Sequence, residues 1–227
     1  MKRLVLFDID GTLVTGGPAK GAFHLALETI YGTTGPIEGW SFSGKTDPQI
    51  ARELLTAAGL DDRTIDEGFP ALWTTYLEEM ERRMANDPTR VLPGVMELVE
   101  ALESLADLAM GLVTGNVQRG ADLKLGAVGL ASRFELGAFG SDHEVRNELP
   151  GIAMERAWGK WRVRFDPRHV VVVGDTPRDV ACGRHHGTRT LAVATGRFGE
   201  EELRASGADV VLPDLSRTDE LVELLTR

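Results

Sequence analysis

The sequence predicts an α/β protein: a doubly wound parallel sheet with a helical domain inserted behind its first strand. Three observations predict it. Short unbroken Val/Leu runs end in small polar residues at Asp8, Thr114 and Asp175, and runs without alternation suit strands buried on both faces of a parallel sheet. Helical patterns lie between them, and strand alternating with helix marks this class. Roughly 95 residues separate Leu13 from Leu108, where a crossover needs only one helix.

Taken in order, LVLF (4–7) opens the sheet. Residues 16–90 read as the inserted helical domain, with Gly16-Gly17-Pro18 and Leu92-Pro93-Gly94 as its hinges. Inside it DPQIARELL predicts a helix with Asp47 capping its N-terminus and Pro48 in its first turn. Phe69, Leu72, Trp73, Tyr76, Leu77 and Met80 recur at helical spacing and read as the packed face of that domain. The core domain takes residues 1–15 and 91–227. Its helical patterns are PGVMELVEALESL (93–105), QRGADLKLGAVGL (118–130), LPGIAMERAWGKW (149–161), TPRDVACGRHHG (176–187), EEELRASG (200–207) and DELVELLTR (219–227). The strands between them are LAMGLV (108–113), FELGAF (134–139), VVVVG (170–174), TLAVA (190–194) and DVVL (209–212). Ligands of such sheets bind beyond the carboxyl ends of the strands, which brings Asp8, Thr114 and Asp175 to one place.

Composition narrows the function. A net charge of −10 over 227 residues argues against a nucleic-acid partner, which needs clustered Lys and Arg. It also obliges any anionic substrate to find local positive charge. A single cysteine, Cys182, excludes an internal disulfide and a cysteine-rich zinc site; it reads as a small core residue. In MKRLVLF the acids Asp8 and Asp10 end the apolar run too early for a signal peptide, and no apolar run approaches membrane-spanning length. The expectation is a cytoplasmic enzyme with no membrane partner.

GWSFSGKT (39–46) fits the phosphate-loop pattern G-x-x-x-x-G-K-[ST] letter for letter. That loop must leave a buried strand and enter a helix. YGTTGPIE, just before it, holds two glycines and a proline and is no central strand. Trp40 and Phe42 are also poor residues for close backbone approach to phosphates. The nucleotide-hydrolase reading fails on context.

The chemistry lies elsewhere. DIDGTL places Asp8 and Asp10 at the mouth of the first strand, and VVVVGDTPRD places Asp175 and Asp179 at the mouth of another. Converging carboxylates repel by on the order of 4 kcal/mol per pair about 4 Å apart at an effective dielectric near 20. A divalent cation relieves that cost, and an all-oxygen donor set favours Mg²⁺ over zinc. His185 and His186 carry no metal-ligand spacing and read as surface or packing residues. His143 lies close in sequence to Arg146, which leaves a site role open.

DIDGTL, the strand-end Thr114 and GDTPRD, in that order with an insertion after the first, resemble the haloacid dehalogenase superfamily of hydrolases over essentially the whole chain. The insertion is similar in position to the helical cap of the branch that includes phosphoglycolate phosphatases and β-phosphoglucomutase. The resemblance implies a Rossmann-like core under a mobile cap. It implies Asp8 as a nucleophile forming an aspartyl-phosphate, and Asp10 as general acid/base, whose pKa should be raised toward neutrality by neighbouring carboxylates. It implies Mg²⁺ on a side-chain oxygen of Asp8, the backbone carbonyl of Asp10 and the carboxylate of Asp175, supported by Asp179. Thr114 would bind the transferring phosphoryl group, beside the amides of Gly115 and Asn116. The family's bridging lysine has no counterpart: SDHEVRNELP offers Arg146, and Lys124 competes, with a solvated helix face as its bland alternative. The cap should carry a specificity loop, here Gly44-Lys45-Thr46-Asp47, with Lys45 and Thr46 toward the substrate. The implied activity is Mg²⁺-dependent hydrolysis of a small phosphorylated metabolite. A phosphoglucomutase-like transferase and a non-catalytic binding protein are the rivals; a dehalogenase would lack an aspartate at position 10.

Overall fold

The computed structural model describes residues 3–226; Met1 and Lys2, and Arg227 at the end of the 219–227 helix pattern, lie outside the described residues. Strand β1 (Arg3–Phe7) leads through β2 (Val14–Gly16) into three helices, α1 (Ala19–Tyr31), α2 (Asp47–Ala57) and α3 (Asp62–Arg83), and back along β3 (Thr89–Val91). The chain continues through α4 (Val95–Glu103), β4 (Leu108–Thr114), α5 (Gln118–Ala127), β5 (Gly137–Phe139), α6 (Leu149–Trp161) and β6 (Val170–Gly174). It ends with α7 (Pro177–His185), β7 (Arg189–Val193), α8 (Glu200–Ala205), β8 (Val210–Leu212) and α9 (Thr218–Thr226).

Six strands form one parallel sheet in the order β5-β4-β1-β6-β7-β8. Strand side chains alternate faces, and β1 shows why its apolar run is unbroken. Val5 and Phe7 pack with Leu98 and Val99 of α4, Leu125 of α5 and Leu221 of α9 on one face. Leu4 and Leu6 pack with Ala153 and Ala157 of α6 and Cys182 of α7 on the other. Each such side chain taken fully out of water contributes about 1.5–3 kcal/mol, so a polar residue anywhere in β1 would be costly. The acids begin at the first residue past the strand.

Helices α1 to α3 share a separate apolar cluster, in which Phe23 and Leu27 of α1, Leu54 and Leu55 of α2, and Leu72, Tyr76 and Met80 of α3 are buried. The α3 stripe is the packed face expected of it. Strands β2 and β3 pair antiparallel, Val14 with Val91 and Gly16 with Thr89. This two-stranded ribbon spans both sequence positions at which the helical segment joins the sheet.

The elements depart from the pattern in four places. The FELGAF run pairs only over Gly137–Phe139, because this edge strand meets β4 only along that strand's carboxyl half, from Leu112 to Thr114. Helix α2 is capped by Thr46, whose hydroxyl accepts from the Gln49 amide at 3.2 Å, and Asp47 is its first helical residue. Helix α1 and the β2–β3 ribbon carry no signal that the pattern reading registers. Helix α1 has Pro18 at its N-cap with no side-chain capping bond and no acid in its first turn, so the usual start signal is missing. The ribbon strands are three residues each, too short for a period to show.

Candidate active site

The carboxyl ends of β1, β4 and β6 open into a cavity of about 340 Å³, floored by Asp8, Asp10, Thr114 and Asp175 and roofed by α1 to α3 and the loop before α2. Such a volume is at the small end for small-molecule sites. Asp8 follows β1 directly and its amide still donates to Val173 O at 2.9 Å, so the strand pairing fixes its backbone. Asp175 follows β6 in the same way.

Asp179 sits in the first turn of α7, which starts with a reciprocal capping box. The Asp179 amide donates to the Thr176 hydroxyl, and the Asp179 carboxylate accepts from the Thr176 amide at 3.0 Å and from its hydroxyl at 2.7 Å. Two orphan donors at a helix start are satisfied reciprocally this way, and the carboxylate is held rigid beneath the cavity. Its other oxygen accepts from Arg146, whose Nη2 also donates to Asp8 Oδ1 at 2.8 Å. Arg146, in a short 3₁₀ turn ahead of α6, is 5 % exposed. It therefore bridges two acids in a space with almost no water.

A second cation lies across the floor. Lys124 of α5 reaches both carboxylate oxygens of Asp10 at 2.7 Å and the Asn116 amide oxygen at 2.7 Å. Asn116 in turn donates to Asp10 at 2.7 Å and to the Thr114 hydroxyl at 2.7 Å. Lys124 is 4 % exposed, so the solvated-face alternative is wrong: the lysine points inward, where its ammonium meets the Asp10 carboxylate. Of the two cations expected to compete for one position, Arg146 pairs with Asp8 and Lys124 with Asp10.

The two acids of DIDGTL are tuned in opposite directions. Burial pushes Asp8 up to about 7, with Arg146 pulling against it and Asp179 and Asp10 adding to it. Burial also works to raise Asp10, but the charge and hydrogen bonds of Lys124, with the Asn116 bond, outweigh it and leave Asp10 below the usual carboxylate range. The expected rise of the Asp10 pKa is thus overturned, because its nearest charge is a cation and not another acid. Asp175 is pushed up to about 9 by burial and by the charges of Asp179 and Asp8.

Asp8, Asp175 and Asp179 each offer a carboxylate oxygen, and these three oxygens lie within 4.8 Å of one another. Asp175 Oδ1 is buried without a hydrogen-bond partner, a costly state for a polar atom. A Cβ on Gly11 or Gly196 would fall 2.4 Å or 1.7 Å from the Asp175 carboxylate, so the space beside it is kept clear by glycine. The donor set fits a hard divalent cation.

The helical segment meets this floor through the loop before α2. Asp47 donates its amide to Gly115 O at 2.7 Å and accepts from the Val117 amide, at the start of α5, at 2.9 Å. A Cβ on Gly115 would lie 2.0 Å from Lys45 O; the close approach requires glycine there. Lys45 lines the cavity, but its ammonium is ion-paired with Glu53, whose carboxylate also accepts from Gln49 and Trp40. Thr46, the neighbour of Lys45, is absent from the cavity lining. It is fully buried and its hydroxyl donates to Glu144 O at 2.6 Å while capping α2. The GWSFSGKT stretch enters a helix but follows a loop after α1 and not a strand, which is the missing half of a phosphate loop. His143 bonds within its own exposed loop, and His186 packs against Asn147 O at 2.7 Å. Cys182 is buried in the core.

Acids matched with buried cations at the carboxyl ends of a parallel sheet equip an enzyme for chemistry on an anionic group. Comparison with known proteins gives the class its name. Residues 2–187 match the haloacid dehalogenase-like hydrolase family, and the chain belongs to it. An N-acetylmuramic acid 6-phosphate phosphatase from Pseudomonas putida is 33% identical over 92% of this chain and 91% of its own length. A phosphoglycolate phosphatase from Synechococcus elongatus is 26% identical over 99% of each. Among solved structures, a β-phosphoglucomutase from Clostridium difficile superposes with a TM-score of 0.72 at 16% identity, covering 100% of this chain and 97% of that one; the likeness is one of fold. The protein is a phosphoric monoester hydrolase of this family. No helix among the described residues is long and apolar enough to cross a membrane.

Proposed function

We propose that the protein is a Mg²⁺-dependent phosphatase that hydrolyses a small phosphorylated metabolite through an aspartyl-phosphate on Asp8. The observation that carries this reading is the buried trio Asp8, Asp175 and Asp179 with its unpartnered oxygen, joined to Arg146 at the floor of a small cavity. The metal would be held by Asp8 and Asp175, with Asp179 in support and the Asp10 carbonyl completing the set; when bound it supplies positive charge to the phosphoryl oxygens and to the nucleophile.

In this mechanism Asp8 attacks phosphorus and the alcohol leaves. Arg146 holds Asp8 in one orientation and balances charge on the transferring group. Thr114 and the neighbouring Gly115 and Asn116 amides orient the phosphoryl oxygens. Asp10 gives a proton to the leaving oxygen and then takes one from the water that cleaves the acyl-phosphate. Residues 16–90 act as the cap, excluding water while this happens. The natural substrates named for the two relatives, N-acetylmuramic acid 6-phosphate and phosphoglycolate, support small monoesters as the class to screen.

The test is phosphate release from a panel of phosphorylated metabolites and para-nitrophenyl phosphate. Hydrolysis should require Mg²⁺ and stop in EDTA, and undiminished turnover in EDTA would overturn the mechanism. Lys45 lines the cavity with its charge already balanced by Glu53, and we assign it to an uncharged polar part of the substrate remote from phosphorus. Lys45→Ala should lower kcat/KM for the natural substrate by roughly 1–3 kcal/mol of transition-state binding and leave para-nitrophenyl phosphate nearly as before. An unchanged kcat/KM on both would make the lysine a purely structural partner of Glu53.

A further inference from the structure

Four cationic side chains line the cavity: Lys20, Lys45, Lys124 and Arg146. Three are spoken for. Lys45 is paired with Glu53, Lys124 with Asp10, and Arg146 with Asp8 and Asp179. The side chain of Lys20 has no ion pair or hydrogen bond to any described residue. It stands in the first turn of α1, with Ala19 and Phe23 beside it on the cavity wall.

That position is a poor one for a lysine by the local rules. The start of a helix carries partial positive charge, so a cation in the first turn is disfavoured and an acid is favoured. Helix α1 has no acid in its first turn to offset it. Places where a sequence breaks a local rule without a structural gain are where function is to be sought. The charge at the mouth also has work to do, because the protein as a whole carries −10 and repels an anionic substrate.

We infer that Lys20 is a specificity-determining residue that binds a second anionic group, a carboxylate, on the end of the substrate remote from the phosphate. The inference rests on the phosphatase reading and narrows its substrate class to small phosphate monoesters of carboxylic acids. The division of labour follows from the pairing. The floor cations handle the phosphoryl group and its acids, while Lys20 is the cation with nothing else to neutralise. Phe23, Phe42 and Tyr76, which also line the cavity, give the carbon skeleton between the two anions an apolar surface, against which an uncompensated carboxylate could not rest without cost.

Pairs of monoesters that differ in the acid group test this: phosphoglycolate against ethyl phosphate, and N-acetylmuramic acid 6-phosphate against N-acetylglucosamine 6-phosphate. The wild-type enzyme with Mg²⁺ should favour the acid member of at least one pair by roughly 10- to 100-fold in kcat/KM, mostly through KM, as for a charge-assisted contact. In Lys20→Met that ratio should collapse to within about threefold, and Lys20→Arg should restore most of it. A merely structural effect of the substitution would lower both members together and leave the ratio standing. A ratio that survives in Lys20→Met overturns the inference. So does a wild-type enzyme that turns over para-nitrophenyl phosphate with Mg²⁺ yet shows no preference within either pair; that result leaves the phosphatase reading intact. An enzyme inert to the whole panel, para-nitrophenyl phosphate included, overturns both.

Discussion

Asp8→Asn should lose on the order of 10⁴-fold or more of the activity on every phosphate ester, while the protein stays folded. The magnitude follows from the role: removing a nucleophile leaves only the binding and electrostatic remnants of a catalytic unit. The fold should survive because the side chain contributes polarity and not core packing. Asn keeps the shape of Asp, can still accept from Arg146, and leaves Arg146 its second partner in Asp179. It also removes one of three buried acids whose oxygens lie within 4.8 Å of one another, so repulsion falls. Steady-state rates with Mg²⁺ and the thermal midpoint, measured on the same preparation, separate the two claims. Beryllium fluoride, which mimics an acyl-phosphate, should form its adduct on Asp8 of the wild type and not on the variant. Substantial turnover by Asp8→Asn, or an adduct on another carboxylate, would remove Asp8 from the mechanism.

The sheet was legible in the sequence because its strands are buried on both faces. Runs such as LVLF and VVVVG have no other home in a protein of this composition, and the acids that end them mark the strand mouths. The helical segment between β1 and β4 was legible for a different reason, the excess length between those strands. What escaped the reading depends on contacts far apart in sequence. Nothing around Lys124 says that its ammonium turns inward; that follows only once Asp10, 114 residues away, is set beside it. The pKa of Asp10 is illegible for the same reason, since the sequence shows acids near Asp10 and hides the cation. In the loop before α2, the sequence points to Asp47 as the helix cap, but the structure gives that task to Thr46 and uses Asp47 to hold the start of α5. Both are good capping residues, and local sequence does not choose between neighbours. Lys20 is inconspicuous in the sequence because a lone lysine in a helix is ordinarily a solvated residue. Its meaning depends on the cavity wall around it and on the pairing of the other three cations.

The other large effect concerns Asp10, and its size should depend on the leaving group. In the structure Asp10 is held ionised by Lys124 and Asn116, which suits a base that takes a proton from water. To act first as an acid it must gain a proton, and the arrival of a phosphate dianion beside it supplies the negative charge that raises its pKa. Protonation of the leaving oxygen matters for an alkyl alkoxide and hardly at all for para-nitrophenolate, which departs unaided. Asp10→Asn should therefore cost roughly 10²–10⁴-fold on alkyl phosphates and distinctly less on para-nitrophenyl phosphate in the first half-reaction. Burst kinetics read that half-reaction directly. Where attack by water on the acyl-phosphate limits turnover, the variant should show a retained burst with a slow steady state on the aryl substrate, because the base is missing. The fold should hold, since the Asn side-chain oxygen can accept from Lys124 where the carboxylate did. Equal losses on alkyl and aryl substrates, with no burst on either, would mean that Asp10 serves to position Lys124 and Asn116 around Thr114 and transfers no proton.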